Sequence, residues 1–175
     1  KDDVIIFRDN ISGGAGNDIL LEDADENLTP LGDVLKGGKG NDFLDGGEQG
    51  SAGYGDENFN VAKFDGPARN FSFETKIYSD QADKAEIDAL IVDLNLEAAE
   101  EYLVEGASYY IVSDSRGDKG QGTDIVTNVQ AFDFTDDYLT LEASLYTYSS
   151  SANIFPDGFY IAPGMEPIVT GIMER

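Results

Sequence analysis

One eight-residue stretch of the chain occurs twice, with two residues changed. Residues 13–20 read GGAGNDIL and residues 37–44 read GGKGNDFL, so three glycines and one aspartate keep their places. Glycine reaches backbone conformations with positive φ and lets another backbone approach closely, so the repeated letters predict a tight turn. The apolar residues after each aspartate predict a short strand with one side chain pointing inward.

These units recur with a spacing of nine residues. Asp9 precedes Asp18 by nine positions, Asp33 precedes Asp42 by nine, and a large apolar residue follows each aspartate by two. An excess of six residues between Asp18 and Asp33 interrupts the period once. We expect two units to complete one coil, with turns on alternating sides and turns one coil apart facing each other across a common gap.

The charge balance of the chain is strongly acidic. Its 175 residues include 35 acidic and 11 basic side chains, which gives a formal net charge of −24. This charge opposes compaction. It disfavours nucleic acid and anionic membrane surfaces as partners, since both attract basic proteins. The acids are interpreted either as a solvated surface or as groups that await cations, and charge alone leaves both interpretations open.

Cysteine and histidine are absent from the sequence. Disulfides, thiolate metal sites, HExxH zinc sites and triads with a histidine base are therefore excluded. No apolar run approaches the roughly 20 residues of a membrane span. Because the predicted gap offers oxygen ligands, it suits a hard cation, above all Ca²⁺.

The two repeats resemble the nonapeptide GGxGxDxUx of RTX (hemolysin-type) proteins, a calcium-binding repeat of the parallel β-roll. The matches cover residues 13–21 and 37–45. The resemblance implies that the two turns lie on the same side of a roll and share a calcium ion. It implies carboxylate ligands from Asp18 and Asp42 and backbone carbonyl ligands from Gly13, Ala15, Gly38 and Gly40.

The resemblance also implies a second side of the roll. Asp9, Asp33 and the degenerate turn GGEQGS, residues 46–51, are expected to line it. The two aspartate units depart from the family pattern, because Phe7 and Leu31 stand where the third glycine belongs.

Residues 61–74 and 109–134 are similar to the β-rich segment that commonly follows these nonapeptides in secreted RTX proteins. The first part carries an aromatic-x-Gly-x-x-Arg-x-aromatic run, and the second carries an Asp-x-Arg pair, a glycine loop and two apolar positions. The residues concerned are Phe64, Gly66, Arg69, Phe71, Asp114, Arg116, Gly122, Thr123, Asp124, Val129 and Phe132.

The predicted fold is mainly β, with two parts. Residues 1–58 are expected to form a short right-handed parallel β-roll that binds calcium. Residues 59–175 are expected to form an antiparallel β domain with a small helical insertion near 79–106. Within the insertion a helix is predicted inside 96–104, with Asn95 as its N-cap, whereas 83–94 suits either a helix or a buried strand. Its acids are interpreted as a solvated face, or else as a docking surface for a basic partner.

The resemblance implies a non-catalytic calcium-binding module near the C-terminus of a larger bacterial protein. Type I secretion is the implied export route, with a secreted, extracellular or cell-surface location. One alternative is an adhesin-type domain that binds a carbohydrate or a cell surface through Tyr146, Tyr148 or Phe159. Another is the accessory tail of a secreted hydrolase.

Two further motifs are interpreted as coincidences. Residues 23–34 begin like an EF-hand loop, but Leu28 stands where glycine is required and Val34 where glutamate is required. The tripeptide RGD at 116–118 matches a cell-adhesion signal, but Arg116 already belongs to the flanking loop of the resemblance.

Overall fold

The computed structural model describes residues 2–7, 10–22, 33–47, 60–79 and 81–141, apart from the side chains of Phe7 and Asp118. These residues form strands and a few short helices, and the prediction of a mainly β protein is confirmed. The strands are β1 (Val4–Phe7), β2 (Ile11–Ala15), β3 (Ile19–Glu22), β4 (Val34–Lys39), β5 (Phe43–Asp45), β6 (Val61–Lys63), β7 (Phe71–Ile77), β8 (Ser108–Asp114), β9 (Thr123–Thr127), β10 (Ala131–Asp133) and β11 (Tyr138–Thr140). The helices are α1 (Gln81–Asp93) and three 3-10 helices, Ala68–Asn70, Glu97–Tyr102 and Gly117–Lys119.

The first six strands alternate between two sheets. β1, β3 and β5 are parallel neighbours in the first sheet, and β2, β4 and β6 are parallel neighbours in the second. Ile19 pairs with Phe43, a separation of 24 residues that equals one coil plus the six-residue excess. The alternation agrees with a chain that coils once per two nonapeptides, while the hand of that coiling stays a prediction.

The later strands extend the same two sheets. β9 lies parallel to β5 in the first sheet, and β8 and β7 follow as antiparallel neighbours. In the second sheet β10 lies parallel to β6 and antiparallel to β11. Strands from residues 4–45 and strands from residues 61–140 therefore share both sheets.

The space between the sheets is filled by aliphatic and aromatic side chains. Alternate residues along each strand point into it, as the period of two requires. Phe64, Phe73 and Phe132 are at most 1% exposed, and the ring centroid of Phe132 lies 5.7 Å from that of Phe64 and 5.3 Å from that of Phe73. The aromatic run of the predicted flanking segment therefore belongs to the main core.

The insertion covers the outer face of the first sheet. Ile87 and Ile91 lie one turn apart on α1, both fully buried, in a cluster that includes Phe43 of β5 and Ile125 of β9. The 83–94 stretch is thus helical, whereas the helix predicted within 96–104 is the 3-10 helix Glu97–Tyr102.

Asn95 ends α1 instead of capping the next helix. Its φ of +58° is left-handed, a conformation that asparagine tolerates better than most residues, and the N–H of Leu96 donates to the carbonyl of Ile91. The 3-10 helix begins after Leu96 with no side-chain cap, so the N-cap prediction for Asn95 is wrong. In the part of the chain that the structure describes, no helix is both long and apolar enough to cross a bilayer.

Candidate metal centre

The two repeated stretches form stacked turns, here called the first turn (residues 13–18) and the second turn (residues 37–42). Gly14 and Gly38 have φ of +100° and +113°, and Gly16 and Gly40 both have +130°. A Cβ atom on Gly38 would lie 2.2 Å from the carbonyl oxygen of Gly14, and one on Gly40 would lie 1.9 Å from that of Gly16. The repeated glycines therefore set both the shape of each turn and the contact between them.

A third turn, residues 119–124, continues this stack and is not among the predicted turns. Its sequence is KGQGTD. Gly122 has a φ of +96°, and a Cβ atom there would lie 2.1 Å from the carbonyl oxygen of Gly40. The spacing Gly-x-Gly-x-Asp is the signal that could have revealed it. The first glycine of the nonapeptide is replaced by Lys119, and the turn lies 82 residues after its partner.

One aspartate from each coil joins a row that we call the aspartate column, made of Asp3, Asp18, Asp42 and Asp124. The Oδ1 atom of Asp18 accepts a hydrogen bond from the N–H of Asp3 at 2.9 Å. Oδ1 of Asp42 accepts from the N–H of Asp18 at 2.8 Å, and Oδ1 of Asp124 accepts from that of Asp42 at 2.9 Å. Asp18 and Asp42, predicted to lie on one side of adjacent coils, are direct neighbours in this column.

An asparagine row runs beside the aspartate column. The side-chain oxygen of Asn17 accepts from the N–H of Asn41 at 3.0 Å, and that of Asn41 accepts from the N–H of Thr123 at 3.0 Å. Both side-chain amides donate to the carbonyl of Leu94, at 2.9 and 3.4 Å. The carbonyl of Leu94, directly after the C-terminal end of α1, therefore holds the first two turns together.

Two carboxylate oxygens of the column are buried and lack a hydrogen-bond partner among the described residues. They are Oδ2 of Asp18 and Oδ2 of Asp42, and both residues are 0% exposed. A buried ionised oxygen without a partner is costly, so such atoms are usually neutralised or bound to a metal. These two atoms are the observation that fits a cation.

Burial and like charges also change how the column titrates. Burial, reinforced by the charge of Asp18, raises the pKa of Asp42 to about 7. Burial, with the charge of Asp42 beside it, raises the pKa of Asp124 well above its ordinary value. Without a cation, Asp42 and Asp124 therefore hold protons at pH values where exposed aspartates have lost them.

Without calcium, the stability of the folded protein is expected to fall as the pH rises from about 4 to about 7. The pKa of Asp42 is 3.8 for an ordinary aspartate and about 7 in the folded protein. The folded state thus binds more protons across this window, and the stability that this proton contributes is complete below pH ~4 and lost on passing pH ~7. The folded fraction by circular dichroism in chelator, at about pH 5 and about pH 7.5, measures the difference. Greater stability at the higher pH would contradict the prediction.

The glycine carbonyls that face the gap between the first and second turns belong to Gly14 and Gly16, as the close approaches to Gly38 and Gly40 show. The carbonyl of Gly38 instead accepts a hydrogen bond from Gln121, and that of Gly40 lies against Gly122. Gly38 and Gly40, predicted as ligands in the first gap, thus direct these oxygens to the next one. Gly13 and Ala15 lie within the first turn, and their ligand roles stay predictions.

The opposite side of the roll is built differently. The N–H of Asp33 donates to the side-chain oxygen of Asn60 at 2.9 Å, and the N–H of Asn60 donates to that of Gln130 at 2.7 Å. Amides therefore take the positions that aspartates hold in the aspartate column. Burial and the charge of Asp33 raise the pKa of nearby Glu22 to about 7. Asp9 and most of the GGEQGS turn lie outside the described residues.

Within the described ranges, no group of three or more acidic side chains is placed to hold a metal ion. An ion in the aspartate column would need backbone carbonyls or water for most of its ligands. Ca²⁺ accepts such sets of carboxylate, carbonyl and water oxygens. The column therefore fits calcium better than it fits a metal that requires several side-chain ligands.

The structure describes parts of the RGD tripeptide and of the EF-hand-like loop. In the RGD tripeptide, Arg116 donates to Asp114 from Nε at 2.9 Å and to the carbonyl of Asp65 at 2.7 Å, so its guanidinium is engaged within the protein. Burial pushes the pKa of Asp114 upward, but the hydrogen bonds from Arg116 and from the N–H of Gln121 outweigh it and lower the pKa. Most of the EF-hand-like loop, and the three aromatic residues proposed for ligand binding, lie outside the described residues.

Together, the fold and the site define a mainly β protein with glycine–aspartate turns stacked along a buried acidic column. The model of the RTX calcium-binding nonapeptide repeat matches this chain in four copies, over residues 7–21 and 30–49. The resemblance of the N-terminal region to RTX repeats is thereby confirmed, and these repeats are of a calcium-binding type. Searches of curated proteins and of solved structures found no match. The third turn lies outside the matched residues.

Proposed function

We propose that this chain is a calcium-binding RTX module that folds when calcium binds after secretion. In this role it stabilises or displays a larger exported protein, and no catalytic step is assigned to it. The observation that carries the proposal is the pair of buried, unpartnered oxygens on Asp18 and Asp42. They lie in the repeats that match the calcium-binding family.

The residues that would hold the ion come from the first and second turns. Asp18 and Asp42 would supply carboxylate oxygens, and Gly14 and Gly16 would supply carbonyl oxygens that already face the following turn. When bound, calcium would supply the positive charge that balances the two carboxylates. The chain itself sets the spacing, because each aspartate is fixed by the N–H of its neighbour in the column.

The same features explain why folding would depend on the ion. Without it, a net charge of −24 and adjacent buried carboxylates oppose the compact state, and glycine-rich turns lose much conformational entropy on ordering. In a cytosol with little free calcium, the contact between the first and second turns would stay open, which favours passage through a type I secretion channel. Outside the cell, millimolar calcium would fill the turns, and the free energy of binding would become free energy of folding.

A calcium titration of the chain tests the proposal. Circular dichroism is expected to show a gain of β structure, and calorimetry is expected to show heat of binding over the same calcium range. Magnesium at equal concentration is expected to produce much less of either, because its small octahedral shell suits carbonyl-rich sites poorly. Folding that is complete in chelator and unchanged by calcium would overturn the proposal.

A further inference from the structure

The stack of turns contains two gaps: the first gap lies between the first and second turns, and the second gap lies between the second and third. The backbone closes both in the same way, with two equivalent hydrogen bonds. In the first gap these are Gly16 N–H to Lys39 O at 2.9 Å and Phe43 N–H to Asp18 O at 2.8 Å; in the second they are Gly40 N–H to Gln121 O at 2.9 Å and Ile125 N–H to Asp42 O at 2.8 Å. The two gaps therefore share one backbone frame.

The side chains at the third position of the turns differ. Ala15 and Lys39 are exposed, whereas Gln121 is 4% exposed. The Nε2 atom of Gln121 donates to the carbonyl of Gly38 at 3.0 Å. Its Oε1 atom accepts from the N–H of Asp65. A side-chain amide thus supplies the positive end of a dipole to the carbonyl that corresponds to Gly14 in the first gap.

The third turn is also fixed by an internal ion pair. The N–H of Gln121 donates to Oδ2 of Asp114 at 2.9 Å, and Asp114 is bound by the guanidinium of Arg116. A Cβ atom on Gly120 would lie 2.6 Å from the Cγ atom of Asp114, so this carboxylate packs directly on the turn. Arg116 also reaches the carbonyl of Asp65, next to the contact that Gln121 makes. The guanidinium of Arg116 therefore provides a positive charge beside the third turn.

The carboxylate oxygens of the aspartate column differ in whether they are buried without a hydrogen-bond partner. In the described part of the chain, Oδ2 of Asp18 and Oδ2 of Asp42 are buried without a partner, whereas neither oxygen of Asp124 is such an atom. The two buried carboxylate oxygens without a partner thus both belong to the first two turns.

We infer that the carboxamide of Gln121 occupies the second gap in place of a cation, held by Asp65 and supported by the Asp114–Arg116 pair. This inference rests on the proposed function, since it distinguishes the gap that needs calcium from the gap that does not. Gln121 thereby limits how far calcium binding extends along the column. The second gap assembles without metal and presents the second turn as a template on which the first turn closes when calcium binds.

Amide hydrogen exchange on the whole chain tests this, read at the four donors of the gap hydrogen bonds. In chelator, the amides of Gly40 and Ile125 are expected to exchange slowly and those of Gly16 and Phe43 rapidly. Calcium is expected to slow the latter pair by roughly tenfold or more, and the former pair much less. If both pairs become protected only with calcium, the inference is overturned and the proposed function stands. If both are protected in chelator, the proposed function falls and the inference falls with it.

The Gln121→Glu variant replaces the carboxamide in the second gap with a carboxylate, whose oxygens can bind calcium. It removes the donor to Gly38, so protection at Gly40 and Ile125 is expected to be lost in chelator and regained with calcium. Gln130→Glu is the matched control, because it also loses a donor, from Nε2 to the carbonyl of Asn128 at 3.4 Å, while its oxygen still accepts the N–H of Asn60. That control is expected to retain the wild-type pattern. Calcium-independent protection of the second gap in Gln121→Glu would overturn the inference, and the wild-type measurement decides it even where the variant does not fold.

Discussion

The Asp42→Asn variant is expected to be more stable than the wild-type protein without calcium and less stable with it. Asparagine keeps the oxygen that accepts the N–H of Asp18, and it replaces the buried, unpartnered Oδ2 by a neutral donor. Removing that uncompensated oxygen is expected to add about 1–3 kcal/mol to the unfolding free energy at neutral pH in chelator. With calcium present, the variant is expected to lose the stabilisation by binding, which is about 2.7 kcal/mol when calcium exceeds its Kd by a factor of about 100.

The opposite side of the roll provides a precedent for this substitution. There Asn60 holds the position that corresponds to an aspartate of the column and accepts the N–H of Asp33 at 2.9 Å. Asp93→Asn is a suitable control, since it removes the same charge from an exposed position on α1. Urea unfolding in calcium and the folded fraction by circular dichroism in chelator measure both variants. A response of Asp42→Asn that matches that of Asp93→Asn would contradict the role given to Asp42.

The Gly40→Ala variant is expected to lose about 4 kcal/mol or more of unfolding free energy in calcium, which is large for one substitution. Its φ of +130° is unfavourable for alanine, and the added Cβ atom would lie 1.9 Å from the carbonyl oxygen of Gly16. The second turn would have to move away from the first, which also separates the calcium ligands. We therefore expect a higher calcium concentration at the folding midpoint as well as lower stability.

Gly14→Ala separates these two causes. Gly14 has a comparable φ of +100°, but a Cβ atom there would meet nothing within 4 Å. It is expected to show the backbone cost alone, about 1–2 kcal/mol. If the two alanine variants lose the same stability in urea unfolding, close stacking of the turns is not what the repeated glycines provide.

The sequence predicted those parts of the fold that local residues determine. Glycine at fixed offsets dictates the turns, and the period of nine places Asp18 and Asp42 one coil apart, as the pairing of Ile19 with Phe43 shows. The helical interpretation of 83–94 could not be separated from a strand, since its apolar residues suit either. In the structure this stretch is a helix, because Ile87 and Ile91 on one face of it are buried against the first sheet.

Other parts depend on contacts that span most of the chain. The third turn keeps only part of the nonapeptide, and it joins the column because β9 pairs with β5 across 82 residues. Amides replace aspartates on the opposite side because Asn60 and Gln130 can accept the same N–H groups without a buried charge. The role of Gln121 depends on Asp65 and Gly38, which no local pattern links to it.

The most direct test of the central claim is a crystal structure of the chain grown in calcium, with anomalous diffraction data to locate the ions. An ion held by the first and second turns is expected, with oxygens of Asp18 and Asp42 among its ligands at about 2.3–2.6 Å. Water alone beside those two carboxylates at saturating calcium would contradict calcium binding by these turns.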